Sequence, residues 1–167
     1  MSRPSDLVVA RRRIVNMALA LAAAALSGCA SSHWLEEKKL AKVVFPRGIL
    51  PIMLFRSDYV RANDREGVTD VVADALASAL GQYGISTTVV ELGGEPRSPR
   101  VELAISRLGY RELNASFPAI VADCAYVSPS EQIAFVGRID ARGPDTGAGS
   151  TVDRIAQAIA EKLASLA

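Results

Sequence analysis

Residues 48–92 constrain the fold more than any other stretch. "GILPIMLF" (48–55) is a short apolar run with branched and aromatic residues, the pattern of a buried strand, and Pro51 suits its start or a sheet edge. Val68, Val71, Val72, Ala75, Leu76, Ala79, Leu80 and Tyr83 then recur at three- and four-residue steps, one apolar stripe at helical period. Gly84 can take the left-handed conformation that ends such a helix, and Ile85 can close the cap with an apolar contact. "ISTTVVEL" (85–92) is rich in β-branched residues and reads as a second strand. Strand, helix and strand in that order make a right-handed crossover whose two strands run parallel.

The rest of the chain adds antiparallel elements. "GGEPRSP" (93–99) is a turn or loop by its Gly and Pro content. In "RVELAISRLGYREL", Val101, Leu103 and Ile105 face one way, and the phase slips at Leu108 and Tyr110, which predicts a bulge near Arg107–Gly109. "FPAIVADCAYV" (117–127) reads as a strand, and in "EQIAFVGRIDARG" Ile133, Phe135, Gly137, Ile139 and Ala141 share a face. A second helix starts at Ser150, a good N-cap with Asp153 three residues on, and buries Val152, Ile155, Ala156, Ile159, Leu163 and Leu166. The order β-α-β-β-β-β-α, with one apolar stripe per helix, predicts an α+β two-layer sandwich: a mixed sheet with two helices on one face, formed by residues 48–167.

The first 28 residues belong to a different class. Arg11, Arg12 and Arg13 precede thirteen residues, Ile14–Leu26, that are apolar except for Asn16, and Ser27-Gly28 follow. A charged start, a short apolar centre and a small-residue exit describe a secretory signal peptide. A membrane-spanning helix needs roughly 20 apolar residues, so a permanent span is disfavoured. Leu26-Ser27-Gly28-Cys29 resembles the lipobox of bacterial lipoproteins. That resemblance implies cleavage before Cys29, lipidation of its thiol, and acylation of the new amino terminus. Residues 29–47 then read as lipid anchor and tether, and Ala30 after the cysteine favours the periplasmic face of the outer membrane over the inner membrane.

Cleavage leaves 139 residues, enough for one domain, with 15 basic and 17 acidic side chains in place of the precursor's formal charge of +1. No strong basic field remains to recruit nucleic acid. Cys124, in an apolar run, reads as a small buried residue.

No enzyme signature emerges. The single histidine, His33, falls in the expected tether. Glu66, Asp70 and Asp74 share a helix face but lie off the apolar stripe, where a solvated face is the ordinary outcome. "GPDTGAGST" lacks both the Lys-containing end of a P-loop and the spacing of a dinucleotide loop. The chain is therefore expected to be non-enzymatic, with no cofactor and no metal site.

The lipobox, the run "VTDVVADALASALGQYGIS", the strand "VELAISRLGY" and the C-terminal helix together resemble small periplasmic lipoproteins of the YajG-like kind, the auxiliary lipoproteins of ABC-type transport systems, and the amino-terminal α/β module of TolB. The resemblance implies a protein anchored through acyl chains on Cys29 that binds a protein partner in outer-membrane assembly or maintenance, or alternatively serves an ABC-type lipid transporter. Residues 117–127 carry one charge, Asp123. They read either as an edge strand offering an interaction surface through Phe117, Ile120, Val121 and Tyr126, or as a central strand buried on both faces.

Overall fold

The computed structural model describes residues 31–55, 67–91, 98–109, 119–143 and 149–167. Strands β1 (Ser31–Lys39) and β2 (Leu50–Phe55) precede helix α1 (Val68–Gln82). Strands β3 (Thr87–Glu91), β4 (Arg100–Gly109), β5 (Ala119–Val127) and β6 (Ile133–Arg142) precede helix α2 (Thr151–Ser165). One six-stranded sheet has the order β1-β6-β5-β4-β2-β3. β2 pairs in parallel with β3, as the crossover requires, and also in parallel with β4, where the sequence predicts the later strands to be antiparallel; β4, β5, β6 and β1 are antiparallel neighbours. The fold is the expected α+β sandwich, with one strand more than the sequence discloses.

That extra strand is β1. Residues 31–39 are not a tether but an edge strand paired with β6 along its length, from Ser31 opposite Arg142 to Lys39 opposite Phe135. Its sequence, SSHWLEEKK, hides the strand because only Trp34 is partly buried. Trp34 meets the Phe135 ring edge-on at 5.8 Å between centroids. A Cβ on Gly137 would lie 2.4 Å from the Trp34 ring, so glycine is what lets the indole lie across β6. Gly137→Val is expected to displace the indole and weaken the domain by roughly 2 kcal/mol through overpacking. Trp34 is the one tryptophan of the chain, so a red-shifted emission reads the loss directly, and unchanged emission contradicts this account.

The core lies between the sheet and the helices. Leu50, Ile52, Leu54, Val101, Leu103, Ile105, Ile120, Tyr126, Phe135 and Ile139 face Val72, Leu76, Leu80, Ile155, Ile159 and Leu163. The α1 stripe is rotated from its expected position: Thr69 and Ala73 are buried, while Val71 is 51% exposed because it lies off the arc centred on Leu76. Tyr83 also stays out of the core, since it follows the last helical residue. Gly84, at φ 74°, ends the helix as expected, and Ile85 donates its N–H to the Leu80 carbonyl. At the start of α2, Ser150 accepts the Asp153 N–H at 3.1 Å. The bulge in β4 falls between Ile105 and Arg107, slightly before its expected place.

Residues 40–49 carry the chain beneath the sheet from β1 to β2. Val43 is fully buried, Phe45 packs edge-on against Tyr126, and the Tyr126 hydroxyl donates to the Val44 carbonyl. Burial pushes the Tyr126 phenol up to about 12 and the Cys124 thiol likewise to about 12. Both groups hold their protons in the folded domain at a pH where the unfolded chain has released them. Stability is therefore expected to fall as pH rises from about 9 towards 12. Tyr126→Phe should cost about 1 kcal/mol at neutral pH and flatten that fall, as read by denaturant titration. An unchanged alkaline slope would contradict the burial argument.

Candidate interaction surface

The sheet is covered on one face by the helices, and its other face carries the candidate site. Alternation along β5 divides the residues expected to form one surface. Ile120 and Tyr126 are 3% and 0% exposed under the helices, whereas Val121 points to the opposite face. Phe117 lies outside the described residues, as does Cys29. β5 is hydrogen-bonded to β4 on one side and β6 on the other, so its backbone offers no free edge. The edge-strand reading of 117–127 is therefore corrected. Nor is the strand sealed on both faces: Ala119, Val121, Asp123 and Ala125 remain half-buried on the open side.

The true edges are β1 and β3. β1 is guarded by charges (Glu36, Glu37, Lys38, Lys39) and by a register shift between Trp34 and Glu36. β3, TTVVE, carries no such guard within Thr87–Val90.

Across the open face runs a trough of about 540 Å³, with Ala104, Ala125 and Val136 on its floor and Glu36, Lys38 and Asp123 on its rim. Its charges are largely matched within the chain. Arg138 donates to Asp123 at 2.6 Å across the β5–β6 pair. Arg100 donates to Glu102 and to Glu131, each at 2.8 Å. Hydrogen bonds from Ser98 and Arg100 hold the exposed Glu131 carboxyl below the usual carboxylate range.

A second group lies nearer the start of β1. His33 sits opposite Asp140, its Nε2 3.9 Å from Oδ2, and Arg142 approaches the same oxygen at 3.6 Å. Asp140 Oδ1 is buried and accepts no hydrogen bond. One rung of the sheet thus runs His33, Asp140, Val121, Arg107 over four strands. Sequence reading missed this group because it placed His33 in a tether. The signal that could have found it was the two-residue period that puts Ser32 and Trp34 on one face and His33 on the other.

Asp74 is exposed on α1, and Asp70 stands in its first turn, while Glu66 and the 144–148 loop lie outside the described residues. Among the described residues, no group of three His, Cys, Asp or Glu side chains gathers as metal ligands. No described helix is long and apolar enough to cross a membrane.

Fold and site together define a class: small α+β domains with helices on one face of a mixed sheet and, among the described residues, no element packed over the other. No family model and no curated protein matches the sequence. Among solved structures, the chain is similar in fold to PelC from Paraburkholderia phytofirmans, described as a dodecamer, with a TM-score of 0.57, 12% identity, and coverage of 80% of this chain and 97% of that one. A second crystal form of that dodecamer gives a TM-score of 0.51 at 14% identity, covering 82% and 96%. A DUF330 protein from Xanthomonas campestris gives 0.39 at 12% identity, covering 77% and 87%. The likeness to PelC is one of fold.

Proposed function

We propose that this chain is a bacterial envelope lipoprotein: a non-enzymatic periplasmic domain, held by acyl chains on Cys29 at the outer membrane, that works by binding protein. The observation that carries this reading is Leu26-Ser27-Gly28-Cys29 at the end of a short apolar leader. The open sheet face and the unguarded β3 edge support a binding role, because both present surface that a partner can cover. The PelC structures are described as dodecamers, which favours further copies of the chain among the partners.

The test is co-purification of the full chain from detergent-solubilised membranes after mild cross-linking. The reading expects stable multimers, or a second envelope protein, with contacts mapping to β3 or the open face. Recovery as a monomer without a bound protein would contradict it.

A further inference from the structure

We infer that copies of this chain join head to tail: segment 39–49 of one copy seats in the groove between α1 and α2 of the next. This rests on the protein-binding reading and adds to it a contact beyond the β3 edge and the open face.

The first surface is held ready. Leu40 donates its N–H to the Ala134 carbonyl at 2.8 Å, Val43 donates to the Leu166 carbonyl at 3.4 Å, and the Tyr126 hydroxyl donates to the Val44 carbonyl. The segment is thereby fixed across the end of the domain where β6 starts and α2 stops. Leu40, Val44 and Ile49 are left 50%, 56% and 64% exposed, and Ile133 is exposed at the same end. Lys39, Lys42 and Arg47 are exposed among them, and residues 39–49 include no acid. Among the described residues none of these three cations has an ion-pair partner. Apolar side chains interleaved with unpaired cations fit a partner that is both apolar and anionic. The carbonyl end of α2 lies at the same place and carries partial negative charge. Discrete carboxylates set against the cations therefore suit this end better than a uniformly anionic bilayer.

This chain itself offers such a surface. Between α1 and α2 runs a groove of about 590 Å³ lined by small side chains, Ala75, Ser78, Ala79 and Ala158, and by the carboxylates of Asp153 and Glu161. Val71, half-exposed, extends the row of Ala75 and Ser78 by one turn, and Asp74 stands exposed one turn from Ser78. Asp74, Asp153 and Glu161 have no ion-pair partner among the described residues. Arg154, the cation of the lining, turns its Nε to the Gly149 carbonyl at 2.8 Å. Three unpaired carboxylates around a small-residue floor thus match three unpaired cations around exposed apolar side chains. Segment 39–49 is pinned within its own copy, so the match is made between copies. The two surfaces differ, so the contact is heterologous and repeats into a ring or a filament.

The test uses the full chain in detergent and two charge-reversed variants, Lys39→Glu with Lys42→Glu and Arg47→Glu, and Asp74→Lys with Glu161→Lys. All five side chains are exposed, so both variants should melt near the parent. By sedimentation each variant alone is expected to associate at least roughly tenfold more weakly than the parent, because like charges then face each other. An equal mixture should recover association, since acidic segments meet basic grooves and basic segments meet acidic ones. A second measurement oxidises a mixture of Val44→Cys and Ser78→Cys chains. Disulfides are expected between the two kinds of chain rather than within either; acylated Cys29 has no thiol, and Cys124 is buried.

Multimers indifferent to both reversals, no recovery on mixing, or no mixed disulfide would overturn this contact and leave the protein-binding reading standing. So would a chain that is monomeric yet binds a different envelope protein. A monomer recovered with no bound protein would overturn that reading and this contact together.

Discussion

Leu76→Asp is expected to unfold the domain outright. Leu76 is fully buried on the α1 stripe and belongs to the core cluster that also holds Val72, Leu80 and residues of β2 and β4. Among the described buried residues no cation stands ready to pair with a carboxylate there. An unpaired charge in such a site costs several kcal/mol, comparable with the whole stability of a domain of this size. Asp74→Ala, two residues away on the exposed flank of the same helix, should change stability by under about 0.5 kcal/mol. Circular dichroism with thermal melting distinguishes the two. A cooperative melt for Leu76→Asp near that of the parent would mean that the inward face of α1 is misassigned.

The sequence discloses elements whose burial is one-sided and strong. α2 shows Ile155, Ile159 and Leu163 at helical spacing, and β4 shows Val101, Leu103 and Ile105 at alternation, because each meets the core on one face. β1 was illegible for the opposite reason. An edge strand needs neither face buried along its length, and here one indole over one glycine, plus backbone pairing, fixes it. Residues 117–127 read equally as an edge strand or as a central strand, because an almost uncharged apolar run fits both. Only the pairing partners reveal a central strand, and those come from residues far apart in sequence. The group around Asp140 depends on the same long-range register, so neither His33 nor Arg107 stood out locally.

Cys29→Ser is the substitution with the largest expected effect on where the protein resides. The thioether to a diacylglyceryl group needs sulfur, and a serine hydroxyl at neutral pH is a far weaker nucleophile than a thiol. The variant should incorporate no lipid. One acyl chain holds a protein only marginally, with about 0.8 kcal/mol per buried CH₂, so durable retention depends on the full set of chains. The folded domain itself should be untouched, since Ser31–Ala167 forms its own compact unit. Equal palmitate incorporation by Cys29→Ser and parent would remove Cys29 from the account.

The most direct measurement is the intact mass of the mature chain extracted from membranes. The account predicts a chain beginning at Cys29, heavier than its 139 residues by a diacylglyceryl group and an amide-linked acyl chain. A mass that retains residues 1–28, or one that begins at or beyond Ala30 without lipid, would contradict it.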